Sequence, residues 1–222
     1  MFDFLSKYDV LGAFWVTVQL TLYAALGSLI WGTILAGFRV SPVPLLRAFG
    51  TAYINIVRNT PLTLIIVGTL LGLSQTLGVT MGTNVLDSQN FRLATLGLIA
   101  YTSTFVCESI RSGINTVPVG QAEAARALGL GFGQVLGVIV LPQAFRSVIA
   151  PLASVLIALT KNTTVASAIG VAEASFVMNN MIENESDKLF LVFGVVALGF
   201  VVLTLPTGLI LGWVAKKVAV KR

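Results

Sequence analysis

From about Leu11 to Phe38 this chain carries no charged residue. A helix of about 20 mostly apolar residues crosses the ~30 Å hydrocarbon core of a bilayer, and this run is longer than that. Lipid offers the backbone no hydrogen-bond partners, so a spanning run of this kind must be helical. Four further apolar runs follow, from about Leu62 to Val79, Leu93 to Ile114, Val148 to Val171 and Leu189 to Val214. The predicted fold class is all-α integral membrane, with five transmembrane helices in a single transmembrane domain over residues 1–222. A polar connection over about 115–142 separates the third and fourth spans. Within it Phe132 to Val140 is apolar but too short to cross, and is expected along the interface or beside a loop helix. Gly68/Gly72 and Gly208/Gly212 have the spacing of close helix approach.

Composition agrees. Only 10% of residues are charged, against about a quarter in soluble domains. Met1 to Val10 lacks the basic start of a cleaved signal peptide, so the first span is expected to stay in the mature protein. The chain has no histidine and a single cysteine, Cys107. That excludes Ser-His-Asp and Cys-His catalysis, histidine-ligated metals and an internal disulfide. No catalytic residue, metal site or resident cofactor is predicted. No glycine precedes a lysine, so there is no phosphate-binding P-loop. Gly129-Leu-Gly-Phe-Gly133 follows no strand and is not read as a dinucleotide motif. If ATP is the fuel, ATP and magnesium must sit in another polypeptide.

The basic residues set an orientation. Arg39, Arg47, Arg58, Arg111, Arg126, Arg146 and the tail Lys216, Lys217, Lys221 and Arg222 fall on one side of a five-span chain. Lys7, Arg92 and Lys188 fall on the other, with Asp3, Asp9, Asp87, Glu183, Glu185 and Asp187. Basic residues stay in the cytoplasm, so the N-terminus is expected outside and the C-terminus inside. The net charge of +5 then reflects this bias rather than nucleic-acid binding.

Three charges lie inside spans, Glu108 and Arg111 near the end of the third and Lys161 in the fourth. Glu108 is costly there, by about 2.5–3.5 kcal/mol at mid-membrane, and must face an interior or a partner. Arg111, three residues on, can pair with it. Alternatively Glu108 lines a substrate path and meets an amino group; the two readings are compatible. Lys161 is either a buried counter-charge, a side chain snorkelling to water, or a donor to a substrate carboxylate. Asn162, Thr163 and Thr164 extend it into a polar run that suits a cavity lining. Arg58-Asn59-Thr60-Pro61 reads as a helix start, with Thr60 capping and Pro61 in the first turn.

A polar island, Gly120-Gln-Ala-Glu-Ala-Ala-Arg-Ala-Leu-Gly129, stands between the apolar runs. It reads as a short amphipathic helix. Pro118 suits its first turn and Gly129 a left-handed cap. Glu123 and Arg126 can pair on the wet side, while Ala124, Ala125 and Leu128 form a smooth patch for another surface. Taken alone, the island reads first as an ordinary solvated loop helix.

The full pattern decides between these. Glu123-Ala124-Ala125, three residues, Gly129, nine residues, then Ile139-x-Leu141-Pro142 resembles the EAA loop of ABC importer permeases. Tyr53 to Leu62 (YINIVRNTPL), Tyr101 to Gly113 (YTSTFVCESIRSG) and Lys161 to Gly170 (KNTTVASAIG) are similar to further motifs of the polar amino-acid subfamily. The resemblance implies the type I ABC importer fold. It implies a non-catalytic permease with a second permease subunit, two cytoplasmic ATPases and an extracytoplasmic solute-binding protein. Glu123, Ala124, Ala125, Arg126, Leu128, Gly129, Leu141 and Pro142 would couple it to the ATPase. Glu108, Lys161, Asn162, Thr163 and Thr164 are its substrate-path candidates, and Arg58 and Asn59 lie near a gate. Lys161-Asn-Thr-Thr resembles members handling acidic or amide amino acids, which puts glutamate first and glutamine second. The rival reading is an ion-coupled secondary amino-acid transporter or channel, in which Glu108 is an ion site. Five spans without an inverted repeat speak against it.

Overall fold

The structure, a computed structural model, describes residues 7–81 and 85–218. The charge-free run forms α1, Val10–Val40, whose 31 residues make it about 46 Å long. Asp9 caps it, accepting from the Gly12 amide. Next come α2 (Pro44–Arg58) and α3 (Leu62–Gly68), the latter continuing as a wider π-turn segment over Thr69–Thr76. α4 runs over Val85–Ile114. The short loop helix α5 is Val119–Ala127. α6 (Phe132–Gln134) leads through a π segment, Val135–Val140, into α7 (Leu141–Asn162), which tightens to a 3-10 turn over Thr163–Ile169. α8 (Ala174–Asn184) and α9 (Leu189–Val218) complete the chain.

Among the described residues four helices are long and apolar enough to cross a membrane: Val10–Val40, Gln89–Ile114, Phe132–Ile169 and Ser186–Lys217. A fifth span exists only if Pro44–Arg58 and Leu62–Thr76 are taken together, across a bend of 106°. This corrects two expectations. The segment before Leu62 is not loop but helix, and the second span is broken. The hydroxyl of Tyr53 on α2 donates to the Ala100 carbonyl, and Arg58 lies over the Phe105 ring. Phe105 is about 14 Å along α4 from Ile114. Arg58 therefore stands beside the middle of a span, apart from Arg39 at the end of α1. Thr60 also differs from expectation. Its hydroxyl turns back to the Ile56 carbonyl, as the Asn59 amide does to Asn55. Both cap the helix behind them, and Pro61 occupies the N-cap position of α3.

Phe132 to Val140 packs beside the loop helix, as one alternative had it, but it is continuous with the fourth span rather than separate. The π widening has a local cause. Pro142 has no amide to donate, and its ring would crowd the carbonyl four residues back. The helix loosens just ahead of it, with the Leu141 amide reaching Leu136.

α1 and α4 lie side by side in the same direction. A Cβ on Gly27 would strike Ile99, and one on Gly32 would strike Val106 and the Ser103 carbonyl. α7 runs antiparallel to α4, with Gly113 against Val148 and the Ala144 carbonyl. Gly199 against Phe14 and Gly97 against Ile66 are further close approaches. Gly68, Gly72 and Gly212 meet nothing, and Gly208 touches only Ile157. The two largest core clusters lie at opposite ends of the spans. Leu20, Ile66, Leu93, Leu98 and Leu159 fill one end, and Leu35, Ile54, Val106, Ile110 and Val148 the other. Buried Thr17 accepts from the Ala174 amide, fixing the connection between spans to α1. Beside it fully buried Glu173 caps α8, accepting from Ser175 and Phe176. Burial pushes its carboxyl up to about 7, against the pull of those amides.

Candidate functional site

The loop helix is built as the island predicts, with a different inner face. Gly129 adopts φ +87°, its amide reaches Arg126 and the Leu130 amide reaches Ala125. These two bonds make a Schellman stop, and Leu130 packs in the same cluster as Ala125. Pro118 precedes the helix, which starts at Val119. Ala125 is buried against Val135 and Val140, so it belongs to the anchoring side and not to the outer patch. Glu123, Ala124, Arg126 and Leu128 stay exposed, Leu128 at 82%. Glu123 and Arg126 form no ion pair among the described residues; each is free to meet something else. Gln143 donates to the Gln121 side chain at 2.6 Å and to the Ile139 carbonyl at 2.9 Å. That link ties the loop helix to the start of α7, next to Leu141 and Pro142.

Glu108 has two cationic partners. Arg111 donates to one carboxylate oxygen at 3.1 Å, and Arg39 at the end of α1 donates to the other. The three side chains are 25%, 40% and 16% exposed respectively. The pairing with Arg111 follows from sequence spacing. Arg39 was missed as a partner because only the α1–α4 register brings residues so distant in sequence together. Lys161 is exposed and forms no ion pair with Glu108. Thr102 and Leu159 line the same cavity, so the antiparallel register sets Lys161 about two turns, ~11 Å, along the axis from Glu108.

A cavity of about 370 Å³ opens between α4 and α7, lined by Tyr101, Thr102, Phe105, Ser154 and Asn162 among others. Asn162 is the one substrate-path candidate on its wall. Arg58 reaches its edge through Phe105, 5.6 Å from the ring centre. The remaining candidates point elsewhere. The Thr163 hydroxyl is buried on the Thr160 carbonyl, Thr164 bonds the Lys161 carbonyl, and Asn59 bonds Asn55. Thr102 is the residue that sequence reasoning passed over. Among the described residues its hydroxyl is the buried side-chain oxygen with no partner. Such a group normally marks water or a ligand. Its only signal in sequence is a hydroxyl run, Thr102-Ser-Thr104, inside a span.

Residues 28–220 match the family described as binding-protein-dependent transport system inner membrane component. The chain is 59% identical to the glutamate transport system permease protein GluC of Corynebacterium efficiens, over 96% of both proteins. It is 58% identical to the GluC protein of Corynebacterium glutamicum, again over 96% of both. A solved amino acid ABC transporter structure, crystallised with histidines, superposes with a TM-score of 0.78 at 25% identity, covering 98% of each chain. The fold is that of the type I ABC importer permeases, and the chain belongs to the binding-protein-dependent transport system inner membrane component family, as a multi-pass inner-membrane subunit of an ABC transporter.

Proposed function

We propose that this chain, as a single permease domain, pairs with a second permease subunit to form a path for glutamate. Two ATPases on the cytoplasmic side and an extracytoplasmic binding protein complete the importer. The observation that carries the solute reading is the cavity between α4 and α7. Thr102, whose buried hydroxyl has no partner among the described residues, lines it, Asn162 adds an amide, and Arg58 adds a cation at the edge. A dicarboxylic amino acid needs more positive than negative partners, and Arg58 and Lys161 are both exposed and without carboxylate partners among the described residues. Glu108 has both oxygens taken, so it serves the path by fixing α1 to α4 rather than by meeting the solute. The names of the relatives from Corynebacterium support glutamate over glutamine.

Coupling runs through α5, with the N-terminus outside and the C-terminus inside. Glu123, Ala124, Arg126 and Leu128 form the gripped face. Ala125, Gly129 and the Gln121–Gln143 bond transmit motion to Pro142 and α7. ATP binding closes the motors and opens the path outward, and hydrolysis returns it inward. The two states must differ in their contacts with α5, since tight docking alone shifts no equilibrium.

Radiolabelled glutamate uptake in cells tests the path. Arg58→Gln and Lys161→Met each remove one charge-assisted hydrogen bond, so each is expected to lower uptake about tenfold or more, with the ATPase still co-purifying. Normal uptake in both would overturn the glutamate path. Glu123→Lys is expected to do the reverse, losing the ATPase while the permease still inserts.

A further inference from the structure

A groove of about 860 Å³ runs between α1 and the first half of α4. Its walls are largely apolar, with Val16 on α1 at one end and Leu96 and Ile99 on α4 at the other. Tyr23 meets Phe91 edge-on at 6.0 Å across it. Gln19, Arg92 and Thr95 also line it, the Thr95 hydroxyl donating to the Phe91 carbonyl. Arg92 is exposed and stands within the first turn of the span Gln89–Ile114. Among the described residues it forms no ion pair, and the Gln19 amide makes no hydrogen bond.

The residues beside the groove suit a lipid-facing side of the subunit. Leu22, Tyr23 and Leu26 are exposed on α1 alongside it, and in a bilayer they face acyl chains. On α4, Arg92, Leu96 and Ile99 follow helical spacing along one strip. Tyr101 and Phe105, which line the cavity with α7, lie roughly 160° around the same helix at about 100° per residue. The groove is thus distinct from the solute cavity.

We propose that this groove binds an anionic phospholipid, its acyl chain along Leu96 and Ile99 and its phosphate at Arg92, with the Gln19 amide donating a second bond. An arginine at the edge of a span needs an anion, and a guanidinium matches phosphate oxygens in a two-pronged geometry. A phospholipid brings an anion and an apolar tail to that depth together, which matches the order of chemistry along the groove. The proposal needs only the membrane embedding and is independent of the transported solute.

The test is native mass spectrometry of the assembled importer with dioleoyl phosphatidylglycerol or dioleoyl phosphatidylcholine added. Phosphatidylglycerol is expected to be retained preferentially. Arg92→Gln should weaken its retention about fivefold, the effect of one basic residue beside an anionic headgroup, and Arg92→Lys should restore most of it. Leu96→Trp, which fills the groove, should exclude both lipids with the ATPase still bound. Inorganic phosphate should not compete. Equal retention of the two lipids, unchanged by Arg92→Gln, would overturn the proposal. Displacement by inorganic phosphate would instead make this a free-anion site. A disulfide between protomers through Leu96→Cys would show that a second copy covers the groove.

Discussion

Replacing Arg39 with methionine keeps an unbranched apolar stem and removes the guanidinium that joins α1 to Glu108 on α4. Glu108 would keep Arg111, so it is not left as a lone buried charge. The loss should fall below the 3–5 kcal/mol of stripping a buried ion of its only partner. It should approach the 1.5–3 kcal/mol of a hydrogen bond to a charged group, because Arg39 is only 16% exposed. We expect about 2 kcal/mol. Arg111→Met removes an i,i+3 pair on one helix from a side chain 40% exposed, and should cost about 0.5 kcal/mol. Glu108→Gln leaves two cations facing a neutral amide and should cost about as much as Arg39→Met. The Arg39→Met/Glu108→Gln double variant should then be more stable than the sum of the singles by about 1–2 kcal/mol. Denaturant titration of the purified permease in lipid–detergent micelles, followed by tryptophan fluorescence, reads all four variants. Equal costs for Arg39→Met and Arg111→Met would refute the cross-helix pairing, as would a coupling energy of zero.

Two further predictions concern the ends of helices. Between pH 4.5 and about 7 folded Glu173 keeps a proton that the unfolded carboxyl has released, so stability falls as pH rises through that window, by up to about 3 kcal/mol, and levels off above it. Hydrogen exchange at the Ser175 and Phe176 amides should show this slope, and Glu173→Gln, which keeps an acceptor without the charge, should abolish it. Gly129→Ala forces a side chain into φ +87° and should destabilise the loop-helix stop by about 1–2 kcal/mol, with weaker ATPase retention on purification. Unchanged retention would mean that the stop is not needed for docking.

The spans were legible because apolar length is a one-dimensional property. α1 and the end of α4 fall within a few residues of the sequence reading. The α5 stop was legible for a similar reason, since Gly129 is a local conformational requirement. The inner face of α5 was not, because Ala124 and Ala125 are the same residue type and only Val135 and Val140 decide which one is covered. Arg39 and Thr102 escaped notice because their roles depend on which helix lies beside which. The break at Asn59-Thr60-Pro61 was visible as punctuation, but its depth was not. Tyr53 and Phe105 supply that depth, and neither contact has a sequence signal. Asp3, Lys221 and Arg222, counted in the charge tally, lie outside the described residues, as does the side chain of Asp87.

The right-angle bend at Asn59–Pro61 has an electrical corollary. A spanning helix that stops and restarts exposes peptide dipoles at that depth, and these need hydration or a polar wall. Water admitted there from one compartment shortens the insulating layer to what remains beyond the bend. The transmembrane voltage, worth about 2.3 kcal/mol per elementary charge per 100 mV over its full drop, then falls mostly across that residual plug. An anion arriving at Arg58 would already have crossed, or not yet met, the larger share of the field, depending on which compartment floods the bend.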